Sequence, residues 1–111
     1  MSEPRIKSGL WVSMALRLAE KGGQYGAILR KGDPDSGGIL VVLRASEGLI
    51  VLSQVRAADG KEAWMRATGP EPVDQEAADA YLERATRRDP DLWVVEFNAR
   101  GLTPPFEARI L

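Results

Sequence analysis

The stretch ILVVLRASEGLIVLSQV, Ile39–Val55, decides the fold. Its two apolar runs are rich in β-branched residues and too short for buried helices, so they read as strands, Ile39–Arg44 and Leu49–Val55. Ser46-Glu47-Gly48 turns one into the other. Both ILVVL and LIVL are apolar on two faces, so the hairpin belongs to the middle of a sheet that needs cover on both sides.

Working outward, Asp59-Gly60 tolerates the positive φ of a tight turn and leads into a fourth strand around Ala63–Ala67. On the other side, Gln24–Arg30 alternates Tyr25, Ala27 and Leu29 with Gly26, Ile28 and Arg30, which predicts a strand. Four strands joined by short turns predict an antiparallel meander. Ahead of them, Ser8 is placed to cap a helix from about Leu10 to Lys21, with Leu10, Met14 and Leu18 on one apolar stripe, Trp11 and Ala15 widening it, and Gly22-Gly23 stopping it. After Thr68-Gly69-Pro70-Glu71-Pro72, Asp74 caps a second helix to about Arg88, with Val73 placed against Ala78. Glu83 and Arg87 form an i,i+4 pair, and Asp89-Pro90-Asp91 ends the helix. A last strand, Leu92–Asn98, puts Trp93, Val95 and Phe97 on one face. The order α-β-β-β-β-α-β is that of an α+β domain: an antiparallel four-strand meander plus a fifth strand, packed by two helices. A single domain over 1–111 is expected, with 1–8 a flexible start and 101–111 an irregular tail. If both helices took the same face, the other would be a large apolar patch and a second copy would cover it, so a homodimer is expected.

The chain has 111 residues, enough for one core without staples. It contains neither cysteine nor histidine, which excludes thiol catalysis, disulfide scaffolds, Ser-His-Asp units and imidazole or thiolate zinc sites. Net charge is −1, with no global pull toward nucleic acid. The charge is uneven: residues 1–32 hold six Lys or Arg against two Glu, and residues 33–111 hold nine against fourteen acids. No run approaches the ~18 apolar residues of a membrane span, and the start lacks a signal-peptide pattern, so no membrane partner and a cytoplasmic location are expected.

The loop KGDPDSGG, Lys31–Gly38, invites a ligand reading. As a calcium loop, Asp33 and Asp35 take ligand positions one and three, but Arg44 stands where the bidentate glutamate must be, and the reading fails. Magnesium on Asp33 and Asp35 stays open. As a phosphate cradle the loop lacks the P-loop pattern, and its glycines precede a strand rather than a helix. A turn accounts for every residue: Pro34 fixes φ, the aspartates accept local hydrogen bonds, and the glycines permit unusual backbone. Arg84, Arg87 and Arg88 could hold an anion, alone or with Arg30 and Lys31; favourable placement of cations at a helix C-terminus is the plainer account. Trp11, Trp64 and Trp93 read as core, with a groove-lining role for one as the alternative. Glu96 interrupts LWVVEF: buried, it would need Arg17 or Arg44 as partner, whereas a solvated face on an edge strand explains it more simply.

The pieces GLWVSMALR (9–17), AILRKGDPDSGGILVVL (27–43), AWMRATGPEP (63–72) and DPDLWVVEFNAR (89–100), in this order, resemble a family of short alphaproteobacterial proteins known as a domain of unknown function. The methionines of SMAL and the PPFEARIL tail look less typical of it. The resemblance implies a small bacterial cytoplasmic protein without an assigned reaction, and it carries over no catalytic or binding residue.

The expectation is a non-enzymatic accessory domain without cofactor, homodimeric, whose partner is protein. The alternative is a small anionic-ligand or phosphate-binding domain using Arg30, Lys31, Arg84, Arg87 and Arg88. A metal-dependent enzyme on Asp33 and Asp35 is third.

Overall fold

The computed structural model describes residues 6–111. Its elements are α1 (Ser8–Lys21), β1 (Gly26–Arg30), β2 (Ile39–Ala45), β3 (Gly48–Arg56), β4 (Glu62–Arg66), α2 (Gln75–Arg88) and β5 (Trp93–Asn98), followed by a 3-10 turn at Arg100–Leu102. The α+β class and the α-β-β-β-β-α-β order stand as expected. The meander does not extend to all four strands, because the sheet order is β1-β5-β2-β3-β4. β5 inserts between β1 and β2, antiparallel to the first and parallel to the second. The reason lies in β5 itself. Trp93, Val95 and Phe97 are buried on one face and Val94 on the other, so the strand needs neighbours on both edges and cover on both sides.

The two helices take opposite faces. Ile39, Val41, Leu43, Ile50 and Leu52 lie with Val95 and Phe97 under α1, whose Val12, Ala15 and Ala19 are buried against them. Leu40, Val42, Leu49, Val51 and Val94 lie under α2, packed by Ala78, Tyr81, Leu82 and Ala85. The condition for a bare sheet face is therefore not met. α2 starts as expected: Asp74 accepts the Ala77 N–H at 2.8 Å, and Val73 forms an isolated bridge with Leu49.

α1 departs from its expected face. The stripe Leu10, Met14 and Leu18 points to solvent, and the small-residue stripe one face over is the buried one. A helix seated on a sheet already crowded by Trp and Phe side chains fits closest with alanines at the contact. Ser8 is not the cap either. It belongs to the helix, is buried, and its Oγ donates to the Gly37 carbonyl. Ser8 is thus part of α1 and not of the expected flexible start, of which residues 1–5 lie outside the described ones.

Glu96 also differs. β5 is a central strand, and Glu96 accepts two bonds from Arg44, at 2.8 and 3.1 Å, an ion pair laid on the α2 side of the sheet. The tail is irregular but packed. Phe106 stands edge-on to Trp11 with ring centroids 5.0 Å apart, and Ile110 bridges Trp64 along the outer edge of β4. Among the described residues, no helix is long and apolar enough to cross a membrane.

Candidate functional site

The loop before β2 is a clamp between three segments. Asp33 Oδ1 accepts the N–H groups of Asp35 and Ser36 at 2.8 and 3.1 Å, and these bonds hold its carboxyl below the usual aspartate range. The Asp33 N–H donates to the Asp91 carbonyl at 3.0 Å, and the Trp93 indole N–H donates to the Asp33 carbonyl at 2.8 Å. Pro34 receives the N–H of Gly9 at 2.8 Å, and Gly37 receives the Ser8 hydroxyl. Gly32 and Gly37 are glycines because the Asp91 carbonyl occupies the space a Cβ would need at either one. Asp35 faces Lys7 at 3.8 Å, both side chains being exposed. Among the described residues no three carboxylates or other ligating side chains gather as a metal site. The loop thus ties the start of α1 to the entry of β5.

Arg30 donates to the Pro90 carbonyl at 2.9 Å, which brings the end of β1 beside the end of α2. Arg87 is paired with Glu83, while Arg84, Arg88 and Lys31 make no hydrogen bond or ion pair among the described residues. The expected basic residues do approach one corner of the molecule. Asp33, Asp89 and Asp91 come to the same corner, so its field is mixed in sign.

The outer face of α1 is different in kind. Leu10 is 58 % exposed, Met14 45 % and Leu18 49 %. Spaced by four, they form one row along the helix. Met14 and Leu18 line a shallow hollow with Arg17, Glu20 and Lys21. Arg17 lies three residues after Met14 and Lys21 three after Leu18, so both cations flank the row, and neither has an ion-pair partner among the described residues. Lys7 extends the same side by one turn. The row carries much of the positive charge of residues 1–32, with Glu20 the acid beside it.

These three residues were expected in the core. The buried stripe is Ser8, Val12, Ala15 and Ala19, whose small side chains carry a weaker hydrophobic signal than the three larger ones.

Comparison with known proteins gives a consistent picture without an activity. No curated protein matches the chain. The crystal structure of a DUF1491 family protein from Caulobacter crescentus CB15 superposes with a TM-score of 0.85 at 33% identity, covering 96% of this chain and 100% of that one. An NMR structure of a DUF1491 family protein from the same organism gives 0.84 at 31% identity, over 98% of this chain and 99% of that one. The solution structure of protein Atu0922 from A. tumefaciens gives 0.74 at 27% identity, over 86% and 87%. A family model described as "Protein of unknown function (DUF1491)" matches residues 6–107, including SMAL and the first half of PPFEARIL, and the chain therefore belongs to the DUF1491 family.

Proposed function

We propose that this domain is a non-enzymatic, cytoplasmic interaction module that docks an acidic amphipathic helix of another protein on the outer face of α1. The observation that carries the reading is the row Leu10, Met14 and Leu18, half exposed and flanked by Arg17 and Lys21. Scattered exposed apolar residues mean little, but a row at helical spacing is the imprint a partner helix needs. Finishing the burial of the three side chains supplies roughly 1 kcal/mol each, the scale of a regulated rather than permanent contact. The cations choose the partner: a helix with Asp or Glu beside its apolar residues gains steering and register. The same cations disfavour a second copy on this face, because two α1 helices would bring like charges together. Relatives in Caulobacter and A. tumefaciens suit the alphaproteobacterial setting that the resemblance implies.

Self-association retains one specific support. Among the described residues nothing pairs with the outer edge of β1, where Ile28 and Leu29 are exposed. The irregular register between Ile28 and Arg30 works against edge pairing, so the α1 face is preferred.

The test uses the full chain as bait in native lysate with a short cross-linker. Wild type is compared with Met14→Glu/Leu18→Glu and with Arg17→Glu/Lys21→Glu. The expected result is a protein cross-linked to α1 through an acidic amphipathic segment and lost with both variants. Retention by both variants, a cross-link to another copy of the chain, or binding transferred to anionic lipid vesicles would overturn the reading.

A further inference from the structure

A cleft of about 920 Å³ opens at one end of the sheet. The parallel strands β2 and β5 both deliver their carboxyl ends to it, at Arg44-Ala45 and Asn98-Ala99, and antiparallel β1 begins there. Connections diverge at this point, β2 into the Ser46-Glu47 turn and β5 into the Arg100–Leu102 turn. A crevice outside the carboxyl ends of parallel strands is where open sheets accept ligands, because the diverging chain leaves room for them.

We propose that this cleft binds a small organic anion, whose carboxylate or phosphate group is held between Arg44 and Arg100. Two guanidinium groups line the cleft and no carboxylate does. Arg44 is already oriented. Its Nε and one Nη bond Glu96, and the same Nη bonds the Gln75 side chain at 2.5 Å, which leaves the other Nη uncommitted among the described residues. Glu96 offsets part of the Arg44 charge, so the net attraction rests on Arg100. That side chain is exposed and makes no ion pair among the described residues. Its position is set by unusual backbone: Gly101 and Leu102 follow with φ of 66° and 58°. A leucine held at positive φ is strained, and such strain collects at ligand sites.

The rest of the lining suits an oxyanion. Asn98 lies opposite Arg44 in the register, and its side-chain amide has no partner among the described residues. Tyr25, 67 % exposed, offers a hydroxyl and an aromatic face. The Ser46 hydroxyl is turned to Glu47, which with Glu96 is an acid close to the lining side chains. α1 ends at the rim, where bare carbonyls would repel an anion. The carbonyls of Leu18, Ala19 and Glu20 are instead taken by the N–H groups of Gly22, Gln24 and Gly23.

The test is an amide-resolved NMR titration of the full chain with inorganic phosphate and, separately, with succinate, at ionic strength held constant with sodium chloride. Saturable shifts are expected at Tyr25, Ala45, Asn98 and Arg100, and the tighter of the two probes tells carboxylate from phosphate. Arg100→Gln should weaken binding by about tenfold or more while keeping the spectrum folded. Arg84→Gln/Arg88→Gln should leave it unchanged. Shifts that do not saturate, that map to Arg30, Lys31 or the end of α2, or that persist in Arg100→Gln would overturn the site. The α1 row and this cleft share no lining residue, so either result leaves that reading to its own test.

Discussion

At the scale of single residues, the loop Gly32–Gly38 shows why a turn needs so particular a composition. Turn chemistry was readable from Asp33, Pro34 and the glycines, since each acts within its own neighbourhood. The demand on Gly32 was not, because it comes from Asp91, a residue remote in sequence that folding sets against it. A Cβ at position 32 would collide with the Asp91 carbonyl oxygen and lie 2.7 Å from the Leu92 carbonyl carbon, both backbone atoms that cannot step aside. Gly32→Ala is therefore expected to cost roughly 2–3 kcal/mol. Ser36→Ala should stay within about 0.5 kcal/mol, since only the backbone of Ser36 is engaged. Urea unfolding of the two variants checks the pair. Equal midpoints would mean that the loop yields freely and does not clamp β5. The cleft residues were illegible for a related reason: Tyr25, Arg44 and Arg100 come from three separate segments, and no local pattern joins them.

At the scale of elements, periodicity located all five strands and both helices within a few residues, yet it centred the buried face of α1 on Leu10, Met14 and Leu18, whereas of the expected set only Ala15 and Trp11 pack inward. A helix can carry two stripes, and transfer free energy favours burying the larger residues whether or not the sheet has room for them. Here the sheet side presents Trp93 and Phe97, so Val12, Ala15 and Ala19 fill the contact and Leu10, Met14 and Leu18 remain outside. The two stripes make opposite demands on stability. Val12→Ala removes fully buried methyl groups and should cost roughly 1–3 kcal/mol. Leu18→Ala keeps helix propensity, loses little burial and should change stability by less than about 0.5 kcal/mol. Guanidinium unfolding of both variants decides the orientation, and the reverse ranking would turn the helix over. It would also remove the proposed docking face, since Leu18 cannot be both core and contact surface.

For the whole molecule, the mixed sheet leaves two edges, and the chain treats them unequally. The place of β5 could not be read from turn lengths, because a strand that enters between β1 and β2 depends on a crossover by α2 rather than on a local turn. Its central place follows from apolar residues on both faces, a signal present in LWVV beside the stronger alternation of Trp93, Val95 and Phe97. Once β5 is central, β1 and β4 become the edges. β4 is covered by the tail: Trp64 donates to Arg109 at 2.8 Å and receives the Leu111 N–H at 2.9 Å, while Arg109 pairs with Asp59 at 2.7 Å. Phe106 completes the cover by joining Trp11, Trp64 and Phe97 in one aromatic cluster. The tail is thus a part of the core despite its irregular backbone. Phe106→Ala should cost about 3 kcal/mol, with an unchanged oligomeric state because the β4 edge stays paired. Deleting residues 104–111 should cost more and should also bare the edge, so that light scattering finds concentration-dependent association absent from Phe106→Ala. If the deletion associates no more than the intact chain at high concentration, the tail serves only as packing, and the β4 edge is protected by its exposed charges Glu62 and Arg66 instead.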